Sequence, residues 1–208
     1  MARLRLGVLI SGSGRTLQNF IDLIAADELP AQIAVVLSDR PEAKGLQRAE
    51  AAGIKTVLVR RRGTPAELFS QQITRALSRA EVDLVCMAGF LSLWTIPPQF
   101  EGRVMNIHPA LLPRFGGSGF YGLRVHQAVL EAGCKISGCT VHFADNQYDH
   151  GPIIIQRAVP VLEDDTPETL AARVFAEELI AYPEAIRLFA AGRLRIEGRR
   201  VRILPPQR

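Results

Sequence analysis

"LRLGVLISGSGRTLQNFIDLIAA", residues 4–26, decides the fold. Residues 4–11 form an apolar run interrupted only by Arg5 and Gly7 before it closes on Ser11, which reads as a buried strand. The next four residues hold Gly12 and Gly14, a turn in which the backbone can approach a neighbour or ligand closely. Leu17, Phe20, Ile21 and Ile24 then recur at helical spacing, so the turn feeds an amphipathic helix. One strand, one glycine turn and one helix make the opening unit of a parallel α/β sheet.

The rest of the first half repeats that rhythm. "AQIAVVLS" (31–38) reads as a strand, "EAKGLQRAEAAGI" (42–54) as a helix closing on Gly53, and "KTVLV" (55–59) as a third strand. A helix follows in "TPAELFSQQITRALSRA" (64–80), where Thr64, Pro65 and Glu67 predict a capping box with proline at the first helical position. "VDLVCMAG" (82–89) and "RVMNIH" (103–108) supply two more strands. Strands separated by helices predict right-handed crossovers and a sheet covered on both faces. After residue 114 the pattern changes to a glycine-rich loop, "FGGSGFYG" (115–122), and a short helix, "LRVHQAVLEAG" (123–133). Two strands follow, "ISGCTVHFA" (136–144) and "PIIIQRAVPV" (152–161). A long helix begins near Thr166–Pro167 and runs towards Phe189, with Pro183 expected to bend it, and "RLRIEGRRVRIL" (193–204) reads as a terminal hairpin. The expected fold is therefore doubly wound α/β, with a mostly parallel Rossmann-like sheet and helices on both faces, ending in antiparallel strands, a long helix and a small hairpin. No repeat and no linker divides the 208 residues, so a single domain spanning 1–208 is expected.

Composition narrows the function. Hydrophobic residues make up 48% and charged residues 22%, a globular balance. A net charge of +4 with only 6% aromatics and no arginine–aromatic stripe argues against nucleic acid, and suits phosphate or carboxylate substrates. Cys86, Cys134 and Cys139 are odd in number and lack metal spacing, so no metal is expected; Cys86 reads as a core residue. The opening residues are too short an apolar run for a signal or a membrane span, and a cytoplasmic location is expected, with no membrane partner.

Candidate residues follow from position. The "SGSGRT" turn (11–16) is neither a complete dinucleotide fingerprint nor a Walker motif; alone it reads equally as an anion-binding turn or a plain tight one. Asn106 and His108 alternate onto one face of a strand that Pro109 stops. Alone they read first as a satisfied core pair, yet the carboxyl end of a strand is where such sheets place catalysis. Asp149 in "YDHGP" reads singly as a turn residue. His126 reads as structural, His142 as either surface or site, and His150 carries no argument. Arg60–Arg62 reads as a solvated turn, and Glu177 and Glu178 as ordinary helix-surface acids.

Together the motifs "SGSGRTLQN", "GFLSLW", "NIHPALLPRF", "GCTVHF", "YDHGPIIIQRAVPV" and "DDTPETLAARVFAEELIAYP" resemble the phosphoribosylglycinamide formyltransferases, a branch of the folate-dependent formyltransferases, in order and over essentially the whole chain. The resemblance implies formyl transfer from 10-formyltetrahydrofolate, as co-substrate, to the amine of a glycinamide ribonucleotide in purine biosynthesis. It implies a phosphate-binding half of about 1–100 and a folate and catalytic half of about 101–208. Asn106, His108 and Asp149 would be the catalytic trio; Gly14, Arg15 and Thr16 would hold the substrate phosphate. Leu91, Ser92, Leu93 and Trp94, with Asn106 and Asp145, Asn146, Gln147, Tyr148 and Asp149, would line the folate pocket. Phe175, Ala176, Glu177 and Glu178 would meet the glycinamide substrate, with Glu178 the polar contact.

Three positions depart from the family pattern. Arg15–Thr16 stand where many members have Ser-Asn, and Ala66 stands where the family has an arginine, leaving Arg60–Arg62 close in sequence to supply that charge. The loop at 115–122 is longer than the proline–glycine version of many members. Methionyl-tRNA formyltransferases carry a further RNA-binding domain after this region, and formyltetrahydrofolate hydrolases a regulatory domain before it. With a first strand at residue 4 and an end at residue 208, neither is expected here. A nucleotide-binding module without catalysis is the reading from another class; it has no need of Asn106, His108 and Asp149 together.

Overall fold

The computed structural model describes residues 3–206. Nine strands hydrogen-bond in the order β3-β2-β1-β4-β5-β6-β7-β9-β8, and helices flank them. The chain forms two compact units, one ending at Met105 and the other beginning at Asn106.

The first unit alternates β1 (Leu4–Ile10), α1 (Arg15–Ala25), β2 (Ala31–Ser38), α2 (Lys44–Ala51), β3 (Thr56–Leu58), α3 (Ala66–Arg79) and β4 (Leu84–Met87). β1 pairs in parallel with both β2 and β4, and β2 with β3, as buried apolar runs predict. The chain therefore builds outward from β1 on one side, then returns to add β4 on the other. That reversal sets a topological switch point at the carboxyl ends of β1 and β4, the place where open α/β sheets bind ligands. Phe69, Ile73 and Leu77 of α3 are buried four residues apart, the apolar stripe that docks a helix. Each such side chain contributes about 1.5–3 kcal/mol by leaving water.

The expected capping box at α3 is not there. Pro65 occupies the cap position and the Thr64 hydroxyl makes no capping bond. Arg61 is the reason: its guanidinium donates to the Thr64 carbonyl at 2.8 Å while the Thr64 N–H donates to the Arg61 carbonyl at 3.2 Å, closing a turn ahead of the helix. The acidic Glu67 remains in the first turn, where the helix dipole favours it.

The strand β5 (Val104–His108) crosses the unit boundary. The second unit continues with α4 (Leu123–Glu131), β6 (Ile136–Phe143), β7 (Ile153–Pro160), α5 (Pro167–Ala190), β8 (Leu194–Glu197) and β9 (Arg200–Ile203). β6 and β7 are antiparallel, as are β8 and β9. α5 is one helix of 24 residues; Thr166 caps it with Thr169, and Pro183 lies inside without ending it. The terminal hairpin does more than expected, since Arg200 of β9 pairs in parallel with Ile153 of β7 and adds two strands to the sheet. No helix among the described residues is long and apolar enough to cross a membrane.

Candidate active site

The second unit gathers polar side chains where an apolar strand ends. Asn106 and His108 leave β5 on one face, and Pro109 stops the strand. His142, near the end of β6, and Asp149, in the loop before β7, meet them. The Asn106 amide nitrogen lies 3.2 Å from Asp149 Oδ1 and 3.2 Å from His142 Nε2. His108 Nδ1 lies 3.4 Å from Asp149 Oδ2, and its Nε2 is 2.7 Å from the Phe115 carbonyl. The Gly117 N–H donates to Asp149 Oδ2 at 2.9 Å. Asp149 is the hub: Asn106, His108 and Gly117 all address one carboxylate.

Hydrogen-bond roles follow from the acceptors. A carbonyl cannot donate, so His142 carries its proton on Nδ1, 2.9 Å from the Phe143 carbonyl, and Nε2 accepts from Asn106. The two amide hydrogens of Asn106 are thereby directed at Asp149 and His142. Both nitrogens of His108 face oxygens, an arrangement that accommodates two protons. Burial opposes this and is the largest influence, so His108 titrates below the ordinary histidine range. The Asp149 carboxylate and the Phe115 carbonyl pull upward, and the His142 ring pushes down. A resting imidazolium held by Asp149 is therefore not the favoured state. Asp149 behaves in the reverse way. Burial pushes its carboxyl up, but His142, His108 and the Gly117 N–H together outweigh that and hold it below the usual carboxylate range.

The loop from 109 to 117 is shaped to deliver these contacts. Thr140 on β6 donates to the Ala110 carbonyl at 2.6 Å and accepts from the Leu112 N–H at 3.0 Å, while Gln156 on β7 donates to the Leu112 carbonyl at 2.9 Å. A side chain at Gly116 would place Cβ 2.5 Å from Leu112 Cδ2 and 3.1 Å from Asp149 Cβ. Glycine there lets the loop pass against Asp149.

In the first unit the glycine turn is built for close approach. Gly14 has φ +69° and precedes α1; a Cβ there would come within 2.5 Å of the Gly45 Cα on α2. Arg15 and Thr16 open the helix, Arg15 exposed and Thr16 buried. The first N–H groups of any helix lack intrahelical acceptors and favour anions. Arg48 on α2 braces the turn by donating to the Ser13 carbonyl at 2.9 Å. Leu91 donates its N–H to Ser11 Oγ at 2.9 Å, and Ser92 donates to Asp39 Oδ2 at 2.6 Å, so this segment is pinned to the ends of β1 and β2. Leu93 is exposed. Trp94 is not: at 1% exposure its indole donates to Thr74 at 3.1 Å and meets Phe100 edge-on. Its side chain anchors the segment from the core. Arg61, considered as a replacement charge for Ala66, is tied to Thr64 and stacked over Phe69.

In the second unit Asp145 accepts from the Gln147 N–H at 2.8 Å and from His150 at 2.7 Å, while Asn146, Gln147 and Tyr148 are exposed. On α5, Phe175, Glu177 and Glu178 are half-buried and Ala176 is exposed. Glu177 pairs with Arg157 of β7 at 3.4 Å, which makes it a brace between helix and sheet. Cys139, beneath, has its thiol pushed up to about 12, by burial first and then by the Glu178 charge. His126 is buried on α4, and its Nδ1 has no hydrogen-bond partner. Among the described residues no three His, Cys, Asp or Glu side chains gather as a metal site. Sequence reasoning left His142 undecided and passed over Asp39 and His150. Alternation of "CTVHFA" puts His142 on a definite strand face, and that face is the one signal that could have placed it.

Comparison with known proteins gives these contacts a context. Residues 4–186 match the formyl transferase family model. A phosphoribosylglycinamide formyltransferase of Haemophilus influenzae is 37% identical, over 93% of this chain and 90% of that protein. A trifunctional purine biosynthetic protein of Drosophila pseudoobscura pseudoobscura is 42% identical, but the chain spans only 14% of its length. The crystal structure of glycinamide ribonucleotide transformylase 1 from Symbiobacterium toebii superposes with a TM-score of 0.89 at 48% identity, covering 98% of this chain and 95% of that one. The chain belongs to the formyl transferase family, in its phosphoribosylglycinamide formyltransferase branch.

Proposed function

We propose that this protein transfers the formyl group of 10-formyltetrahydrofolate to the amine of 5'-phosphoribosylglycinamide, giving formylglycinamide ribonucleotide and tetrahydrofolate in purine biosynthesis. The observation that carries the reading is the convergence of Asn106 and His108 on the buried Asp149 carboxylate, in a chain of this family. The substrates are small molecules. A cytoplasmic location accompanies the reading, supported by three cysteines that form no disulfide, two of them buried.

In this account the substrate amine attacks the formyl carbon, and negative charge grows on the formyl oxygen of a tetrahedral intermediate. Asn106 turns one amide hydrogen from His142 to that oxygen while the other stays on Asp149. His108 keeps Phe115 through Nε2 and offers its Nδ1 side, held only at 3.4 Å by Asp149. Because burial keeps His108 neutral at rest, its gain of a proton is favoured only as the oxyanion forms. That is stabilisation of the transition state over the ground state. Asp149, held ionised, relays that proton from the attacking nitrogen to His108 Nδ1, and as the intermediate collapses the same proton passes, through water, to the departing folate nitrogen. Gly12, Gly14 and the start of α1 take the substrate phosphate through backbone N–H groups, with Arg15 adding charge. Leu91–Leu93 and the 145–149 loop take the pteridine, and Phe175 and Glu178 meet the glycinamide.

The test is turnover. Purified protein is mixed with 10-formyltetrahydrofolate and glycinamide ribonucleotide, and formylated product is measured. Stoichiometric product supports the reading; release of formate without product, or no reaction, overturns it.

A further inference from the structure

We propose that the terminal hairpin belongs to the catalytic apparatus, with Arg199 at its tip acting as a positioning residue that clasps the 145–151 loop and thereby holds Asp149. This rests on the catalytic role of Asp149 proposed above. Gly198, at φ +58°, and Arg199 are the only residues between β8 and β9, so Arg199 sits at the point of the turn. Pairing of Arg200 with Ile153 brings that point to the start of β7, immediately after the loop. There Arg199 NH1 lies 2.7 Å from His150 Nε2, and NH2 donates to the His150 carbonyl at 2.9 Å.

Arginine cannot accept, so His150 Nε2 presents its lone pair and the ring proton resides on Nδ1. That nitrogen is 2.7 Å from Asp145 Oδ2, the correct partner for a donor. Arg199, His150 and Asp145 thus form one directional chain, and Asp145 Oδ1 continues it to the Gln147 N–H at 2.8 Å. Both ends of the loop are gripped, while residues 146–148 between them are exposed.

Asp149 stands next to the clasped histidine in a left-handed conformation, φ +52°, unusual for a residue other than glycine. Such backbones persist where their surroundings over-determine them. On the far side Gly151 passes so close to β6 that a Cβ would lie 1.8 Å from the Phe143 carbonyl. The clasp and this contact together fix residues 149–151. The clasp is exposed, and exposed charged contacts add little to stability. Its consequence is geometry at Asp149 and little for the fold.

The experiment compares Arg199→Ala, Arg199→Lys, His150→Ala, the Arg199→Ala/His150→Ala double variant and Arg200→Ala in the full chain. Steady-state kinetics and amide hydrogen exchange are read for each. Arg199→Ala is expected to lower kcat roughly tenfold or more, the scale of a small misplacement of a catalytic group. KM for the glycinamide substrate and Tm should stay near wild type. Arg199→Lys should recover part of the loss, and Arg200→Ala should lose nothing. The double variant should lose no more than the worse single variant, as for two parts of one contact. Exchange at the Gly117 N–H, which donates to Asp149, should quicken in Arg199→Ala. Unchanged kcat, multiplying losses in the double variant, or equal damage from Arg200→Ala would overturn the proposal. If Arg199→Ala does not fold, His150→Ala, which breaks the ring link between Arg199 and Asp145 while keeping the bond to the residue 150 carbonyl, decides. If wild type makes no product, the functional reading fails, and Gly117 exchange alone settles whether Arg199 holds the loop.

Discussion

The glycine turn after β1 and the polar centre at the end of β5 are two ways of building a binding surface. The first works by subtraction: Gly14 has no side chain, so α1 and α2 approach to the point where a Cβ would touch the Gly45 backbone. What it offers a ligand is N–H groups. The second works by addition, placing three titratable or amide side chains, Asn106, His108 and His142, around the Asp149 carboxylate. A backbone surface tolerates neighbours of varied identity and fails when bulk is added. A side-chain surface fails when one chemical group is changed, even with shape preserved.

The sharpest contrast comes from His108→Ala. On the proposed mechanism it removes a donor to the oxyanion, and kcat should fall about 10²–10³-fold. Binding of the glycinamide substrate, measured by calorimetry, should hardly change. Near-normal kcat would reduce the polar centre to a packing feature.

At the glycine turn the large effect should be on stability. Gly14→Val adds a branched side chain at φ +69° and drives it into α2, so unfolding free energy should drop by roughly 2–4 kcal/mol. Urea denaturation measures it; an unchanged midpoint would contradict the packing. Gly12→Ala separates the two functions of the turn, because its Cβ would meet nothing within 4 Å. Stability should hold while KM for the phosphorylated substrate rises roughly tenfold, the folate KM staying put. Equal rises in both KM values would move the phosphate elsewhere.

The smallest effect concerns His126, a buried histidine outside both surfaces. Burial first, and the His108 charge second, lower its pKa to about 4. A group whose folded pKa lies below its unfolded value of 6.5 contributes stability above that value and loses it as pH falls towards 4. The loss approaches about 1.4 kcal/mol per pH unit across that window. His126→Phe, which abandons a ring nitrogen without a partner, should flatten the fall in Tm between pH 6.5 and 4.5. Identical curves would remove His126 from the acid response.

These contrasts follow how each part was written in the sequence. Strands β1, β2 and β4 were legible because buried parallel strands are unbroken apolar runs, and α5 because Thr166–Pro167 announce its start. Asn106 and His108 could be paired from alternation alone. Asp149 could not, because a turn-forming acid and a catalytic one look alike until β6 and β7 bring the loop back to β5. Thr64 was misread because a capping box and the Arg61 turn require the same residue types. The Trp94 anchor was not legible, because no local pattern links its indole to Thr74, twenty residues earlier. The clasp is the extreme case: Arg199 and His150 are 49 residues apart, and no local pattern links them.

Asp149→Asn tests the central claim most directly. Asparagine keeps the shape, tolerates the left-handed backbone and can still accept from Gly117, so what is lost is the charge and the one acceptor that faces Asn106. The account predicts that kcat falls at least about a hundredfold with fold intact. In the same variant the NMR titration of His108 should move further down, since Asp149 is the largest influence raising it. A kcat within twofold of wild type, with the His108 titration unmoved, would contradict it.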